Sequence, residues 1–141
     1  RAGGGTEQDV ETANSTASPP TGLTCSISQN NVPGCVSSSG LLVQSGRNVP
    51  LTWTPPNFGQ IRKYYVRKAE GSFPTLQLVM SNFSKFTIVK TLTGTPPSTS
   101  YIDPDVKNNT TYTYVLTLEN KQKVQSGSSK PLVVKVSNSG R

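Results

Sequence analysis

Hydrophobic and polar positions alternate strictly along residues 105–120. Successive side chains of a β-strand point to opposite faces, so this period of two predicts a half-buried strand. The residues predicted to face a core are Tyr112, Tyr114, Leu116 and Leu118. The residues predicted to face solvent are Thr111, Thr113 and Thr117. An Asn-Asn-Thr turn precedes the strand, so the hydroxyl of Tyr112 is positioned to bond back to the backbone of that turn.

Five further segments have the apolar pattern of short strands and are separated by Gly, Pro, Asn and Ser residues. They are residues 49–56, 61–66, 86–92, 100–103 and 131–136. Only 32% of the residues are hydrophobic, and an antiparallel sandwich can form a core from so few because each strand buries one face. The pattern therefore predicts an all-β fold, a two-sheet antiparallel β-sandwich. No apolar run approaches the roughly 20 residues of a membrane span.

Two of these segments, together with residues 105–120, carry motifs that resemble strands B, C and F of a fibronectin type III domain. The motifs are Trp53-Thr-Pro-Pro, Ile61-x-x-Tyr64-x-Val66, and Val106 followed by a turn and Thr110-x-Tyr112. The resemblance covers residues 20–137 and implies a fibronectin type III, immunoglobulin-like β-sandwich. Two links are longer than is usual for that family: residues 25–46 between strands A and B, and residues 75–85 after strand C.

The inward phase of the predicted strands also identifies a core. The predicted core residues are Trp53, Tyr64, Val66, Tyr112, Tyr114 and Leu116. Large aromatic side chains dominate this set, so we expect them to supply much of the buried area.

Residues 1–20 differ from the rest of the chain in composition. They contain no aromatic residue, a Gly triplet, small polar residues and a terminal Pro-Pro. Such a segment cannot form its own core, so we expect an extended N-terminal arm or a linker, followed by the sandwich over residues 21–141. As an arm it could add a strand to another copy of the chain. The start at Arg1, without an initiator Met or a signal peptide, indicates processing or excision.

Cys25 and Cys35 are the only cysteines, and the chain has no histidine. Two ligands cannot make a structural zinc site, and a Cys-His catalytic pair is excluded. We predict a disulfide between them, worth about 3 kcal/mol in the chain-entropy model. Such a bond indicates an extracellular, periplasmic or otherwise oxidising setting, and we expect a secreted protein that is extracellular or at the cell surface. The alternative is two free thiols in a reducing compartment.

The chain is basic, with a net charge of +7 and a pI near 9.7. Lys63, Tyr65 and Arg67 are predicted to share the solvent face of one strand, a possible binding face for a polyanion or a glycan. The alternative is a solvated face whose charges prevent edge pairing. No nucleic-acid-binding motif accompanies the charge, so a nucleic-acid partner is not expected.

Several polar motifs are candidates for modification, metal binding or catalysis. The glycosylation sequons begin at Asn14, Asn82, Asn108 and Asn109, the last two of which also suit a turn. Asp103 and Asp105 are too few ligands for calcium, and Asp-Pro is common in turns. No carboxylate pair or phosphate-binding glycine loop is recognisable. We therefore expect no metal, no cofactor and no catalytic residue.

Two non-catalytic functions remain. The first is an extracellular structural module, a subunit or spacer of a surface assembly such as a filament, an adhesin or a virion appendage. The alternative is a carbohydrate- or protein-binding accessory module of a secreted protein. A concave aromatic patch would favour the alternative, and the aromatic residues predicted to be available for it are Phe58, Tyr65, Phe73 and Phe83.

Overall fold

A computed structural model describes residues 18–25, 35–38, 41–44, 49–56, 61–94, 97–107 and 109–136. Most of these residues lie in nine β-strands: β1 Thr21–Cys25, β2 Cys35–Ser38, β3 Leu41–Gln44, β4 Val49–Thr54, β5 Ile61–Glu70, β6 Thr87–Thr93, β7 Ser100–Asp103, β8 Thr110–Asn120 and β9 Leu132–Val136. One short α-helix, α1 (Leu76–Ser81), and a 3-10 turn (Phe83–Lys85) complete the regular elements of the described part. The prediction of an all-β fold is confirmed. Residues 1–17 lie outside the described residues, so the arm or linker stays a prediction.

The strands form two sheets that pack as a sandwich. One sheet has the order β1-β4-β7 and the other the order β2-β3-β9-β8-β5-β6. Every pair is antiparallel except β3 and β9, which run parallel with Leu42 opposite Val134. The predicted antiparallel β-sandwich is therefore confirmed. The long link between the first strand and β4 contains the β2–β3 hairpin, which extends the larger sheet beyond β9.

The main core lies between the two sheets, where each strand contributes alternate residues. In β4 every second side chain is buried, which brings Val49, Leu51 and Trp53 to the inner face. The Trp53 ring meets the Tyr64 ring edge to face, with centroids 5.5 Å apart, a favoured aromatic geometry. The six sequence-predicted core residues are all 5% exposed or less.

Strand β8 is buried on both faces, so the expectation of a half-buried strand is wrong. Thr113, Val115 and Thr117 lie on the face predicted to meet solvent, yet all three are buried. The insertion after β5 covers them: Val79 of α1 packs with Phe86 against this face of the larger sheet. The resulting second cluster comprises Ala69, Val79, Phe86 and Val115, with Phe73 and Phe83 packed against it.

Capping explains why a helix of six residues is stable at this position. The Thr75 hydroxyl accepts a hydrogen bond from the Leu78 backbone N–H at 3.2 Å, an N-cap interaction. At the other end, the Asn82 amide donates to the Leu78 carbonyl at 2.8 Å. Short helices need tertiary contacts, and the buried Val79 provides them.

Candidate functional site

The predicted binding face is formed on β5, but its side chains contact each other and β8. Arg67 Nε donates to Thr117 Oγ1 at 2.9 Å. The Arg67 guanidinium lies 5.7 Å from the Tyr65 ring centroid and 5.1 Å from that of Phe83. Burial lowers the pKa of Arg67, while the Tyr65 phenol acts in the opposite direction. Arg67 is therefore packed into the surface between two aromatic rings, a cation-π arrangement.

Tyr65 and Arg62 both bind the carboxylate of Glu119, a buried residue of β8. The Tyr65 hydroxyl donates to Oε1 at 3.0 Å, and Arg62 Nη1 donates to Oε2 at 3.0 Å. Burial raises the pKa of Tyr65, as do the hydrogen bond to Glu119 and its negative charge. Glu119 thus compensates the positive charge of Arg62. Lys63 remains partly exposed on the same face.

We expect the two basic residues of this face to respond differently to charge reversal. Arg67→Glu removes the bond to Thr117 and the contacts with two rings, and should lower the free energy of unfolding by about 2–4 kcal/mol. Lys63→Glu is the matched control and should change it by less than about 0.5 kcal/mol. Urea denaturation of both variants measures the difference. Equal, small effects would show that Arg67 contributes no more than a solvated charge.

A buried polar network joins the two sheets at Asp103 of β7. Its Oδ2 accepts from Lys68 Nζ at 3.0 Å and from the Tyr114 hydroxyl at 2.6 Å, and its Oδ1 accepts from the Asp105 N–H at 3.1 Å. Lys68 Nζ also donates to the Asp105 carbonyl at 2.6 Å and lies 4.7 Å from the Tyr112 ring centroid. Burial, followed by the hydrogen bond to Asp103 and its charge, raises the pKa of Tyr114.

This network engages Asp103 in contacts within the protein. One oxygen of Asp103 accepts hydrogen bonds from both the Lys68 ammonium and the Tyr114 phenol. The carboxylate therefore neutralises Lys68 and is not free to bind a metal ion. The described residues contain no group of three or more candidate metal ligands. The role of Lys68 was not expected from the sequence, in which it is one of several basic residues on β5. The available signal was its phase, since it continues the inward series of Tyr64 and Val66.

The turn before β8 has the geometry of a tyrosine corner. The Tyr112 hydroxyl accepts a hydrogen bond from the Lys107 backbone N–H at 2.8 Å. Asn109 has a φ of 61°, a left-handed conformation that asparagine tolerates better than most residues. Its N–H donates to the Val136 carbonyl at 2.7 Å. The corner therefore fixes where β8 begins beside the end of β9.

The sequons differ in accessibility. Asn109 is exposed at its turn, whereas Asn82 is partly buried and its amide donates to the Leu78 carbonyl. Asn14 and Asn108 lie outside the described residues. Glycosylation stays a prediction at these sites, and Asn109 offers a more accessible acceptor than Asn82.

Two serines that the sequence analysis did not single out continue the larger sheet beside β8. Ser126 donates through its N–H to the Leu118 carbonyl at 2.8 Å, and its hydroxyl accepts from the Leu118 N–H at 2.9 Å. Ser129 makes the same two contacts with Leu116, at 2.8 and 2.9 Å. The sequence feature that could have indicated this pairing is the Ser126-x-x-Ser129 spacing. These bonds hold residues 126–129 against β8 before β9 begins.

A cavity of about 550 Å³ lies next to this segment. We call it the β1 groove, because the start of β1 and the two prolines before it form one wall. The other walls come from α1 and from the segment that leads into β9. Its lining includes Pro19, Pro20, Leu23, Leu76, Lys130 and Pro131.

Three of the four aromatic residues predicted to be available for a ligand patch make contacts with other residues of the sandwich. Phe73 and Phe83 pack against Phe86, with ring centroids 5.4 and 6.2 Å away. Tyr65 is bonded to Glu119, and Phe58 lies outside the described residues. Tyr65, Phe73 and Phe83 are each partly buried by these contacts. Among the described helices, none is long and apolar enough to cross a membrane.

Comparison with known proteins identifies the fold. No protein-family model and no curated protein sequence matches the chain. A solved Fn3-like protein from Clostridium thermocellum is 23% identical, with a TM-score of 0.51, and the match covers 85% of this chain and 95% of that one. The fourth FNIII domain of a human protein is 18% identical over 86% of this chain and 81% of the other, with a TM-score of 0.52.

A third similar structure is a domain within an enzyme. Pectate lyase PelI from Erwinia chrysanthemi, solved with tetragalacturonic acid, is 13% identical, with a TM-score of 0.55. The match covers 82% of this chain but only 28% of the enzyme. Identities this low carry information about the fold and not about activity. Together with the strand order and the tyrosine corner, these likenesses show that the chain is a fibronectin type III-like β-sandwich.

Proposed function

We propose that the chain is a non-catalytic extracellular structural module, a subunit or spacer of a surface assembly such as a filament, an adhesin or a virion appendage. The fold is that of a small structural or binding module. The observation that carries the structural choice is the internal use of the candidate aromatics, since Phe73, Phe83 and Tyr65 stabilise the sandwich. A carbohydrate-binding surface needs such rings exposed.

Free strand edges provide the means of assembly. In the described part of the chain, β2 and β6 end the larger sheet, while β1 and β7 end the smaller one. Ile88 on β6 and Ile102 on β7 are exposed apolar residues on these edges. An edge strand offers unpaired backbone groups that an extended segment can satisfy. The N-terminal arm of another copy is the segment that we propose for this role.

Deleting residues 1–18 tests the assembly. We expect the full chain to associate and the shortened chain to be a folded monomer, because both hydrophobic clusters lie in the described residues from β1 onwards. Light scattering coupled to size-exclusion chromatography measures the mass, and urea denaturation checks the fold. Association that survives the deletion would contradict an assembly arm and favour a passive linker.

The alternative, a carbohydrate- or protein-binding accessory module of a secreted protein, is supported by the likeness to one part of a pectate lyase. Lys63 would then contribute to binding of an acidic glycan. Under this alternative the full chain is monomeric and binds a polygalacturonate oligosaccharide, and Lys63→Glu weakens that binding. The structural proposal expects no such binding by the monomer.

We further propose a disulfide between Cys25 and Cys35, in keeping with an oxidising environment. Cys25 is buried, and no described cysteine is free. The side chain of Cys35 lies outside the described residues. We expect the mass of the non-reduced native protein to be lower by two hydrogen atoms than that of the reduced protein, because an oxidant in that environment takes up two protons and two electrons, and we expect no alkylation of either cysteine. Two alkylated thiols in native material would overturn both the bond and its support for secretion.

A further inference from the structure

The β1 groove combines an apolar lining with an available strand edge. Leu76 of α1 is 43% exposed although it borders the groove, and Pro19, Pro20 and Pro131 add apolar surface. Strand β1 pairs only with β4 in the described part of the chain. An extended segment entering the groove could therefore contact apolar side chains and reach the backbone of β1.

Charge selects what the groove can accept. Lys130 is an exposed residue of its lining. Residues 18–141 carry 13 basic and four acidic residues, a net charge of +9, so the surroundings of the groove are positive. Residues 1–17 carry one arginine and three carboxylates, a net charge of −2. An acidic segment is attracted to this surface, whereas most other segments of the same chain are repelled.

The acidic charges of the arm surround its one large apolar residue. Glu7, Asp9 and Glu11 lie within five residues, and Val10 is the sole residue of 1–17 with an apolar side chain larger than alanine. Fully extended, the nine residues from Val10 to Ser18, which make eight residue-to-residue steps, span about 28 Å. This reach is sufficient for Val10 to enter the groove of an adjacent copy while Pro19 and Pro20 remain in their own.

A neighbouring copy is the favoured source of the segment. Pro19 and Pro20 form part of the groove wall, and consecutive prolines favour an extended polyproline II conformation that cannot reverse direction. An extended course at these two prolines favours a groove on another copy over the arm's own. We propose that the β1 groove binds residues 7–11 of a second copy, with Val10 among the apolar residues and Asp9 or Glu11 beside Lys130. This inference rests on the proposed assembly function and names the site at which the arm binds.

Point variants of the full chain test the groove. Leu76→Glu places a charge in the lining and should weaken self-association at least about tenfold. Met80→Glu is the matched control, because Met80 lies on the same helix, is 53% exposed and does not line the groove. Lys130→Glu should weaken association as well, whereas Lys121→Glu, at an exposed lysine elsewhere, should not. Sedimentation velocity over a concentration series measures each dissociation constant.

Charge exchange and mixing then identify the partner segment. Asp9→Lys with Glu11→Lys should restore association to the Lys130→Glu variant. A chain with Val10→Asp and a chain with Leu76→Glu should each be monomeric alone. When mixed, the two chains should form a heterodimer and no larger oligomer. The first chain retains a working groove and the second a working arm, so only one contact can form.

The outcomes separate the groove from the assembly function. If deleting residues 1–18 abolishes association while Leu76→Glu leaves it unchanged, the arm binds elsewhere and the groove assignment is overturned. If association survives that deletion, the arm is a passive linker and the groove assignment fails, whereas a full chain that does not associate at all overturns the assembly function itself. If the two variants do not associate when mixed, or the charge exchange fails to restore binding, the pairing of residues 7–11 with a second copy's groove is wrong.

Discussion

Replacing Trp53 with alanine is expected to lower the free energy of unfolding by about 3–5 kcal/mol, one of the largest effects available in this chain. Trp53 is buried in the main core against Tyr64. Truncation removes the whole indole and leaves a cavity between the two sheets. A domain of this size has a total stability of about 5–15 kcal/mol, so the variant would be marginally folded.

Trp53→Phe is the matched control for this prediction. The buried Trp53 indole N–H makes no hydrogen bond of good geometry to a described residue, although a weaker contact with the Tyr64 phenol acts to lower the pKa of Tyr64 against the larger effect of burial. Its loss therefore breaks no strong bond, and phenylalanine retains an aromatic ring against Tyr64. We expect less than half of the destabilisation caused by alanine. Urea denaturation followed by tryptophan-independent circular dichroism measures both variants. An alanine variant whose urea midpoint is close to that of the parent would contradict the packing of Trp53 between the sheets.

Replacing Asp103 with alanine is expected to cost a similar amount, about 3–5 kcal/mol, for an electrostatic reason. The side chains of Lys68 and Asp103 are 11% and 1% exposed, so removing the carboxylate leaves an ammonium in a poorly solvated position. The Tyr114 hydroxyl also loses its acceptor. The penalty arises from the groups left behind and exceeds the net worth of the pair.

Two further variants distinguish this mechanism from general disruption. Glu70→Ala breaks the ion pair between Glu70 Oε1 and Lys107 Nζ, which are 3.8 Å apart. The side chains of Glu70 and Lys107 are 63% and 73% exposed, so this variant should cost less than about 1 kcal/mol. Replacing the buried pair together, with Lys68→Met and Asp103→Leu, should recover much of the stability lost in Asp103→Ala. Urea denaturation compares all three. A double variant no more stable than the single one would show that the charge left on Lys68 is not the cause.

The sequence determined which way the side chains of individual strands point. Alternation along β4, β5 and β8 assigned Trp53, Tyr64 and Tyr114 to the interior, where the structure has them. This success has a simple cause, because the period of two is a property of the extended backbone itself. Turn residues were readable for a similar reason: the left-handed φ of Asn109 is a local conformational preference.

What packs against each face of a strand depends on the other elements of the fold. The outer face of β8 was predicted to meet solvent from its threonines, but Val79 of α1 and Phe86 form a hydrophobic cluster with Val115. The backbone of Gly71 and Phe73 binds the hydroxyl of the buried Thr113. The parallel pairing of β3 with β9 joins residues that are far apart in sequence. Likewise Arg67 and Thr117, 50 residues apart, meet because β5 and β8 are neighbours. Periodicity describes one strand at a time, whereas burial, ion pairing and stacking depend on long-range neighbours that the chain brings together when it folds.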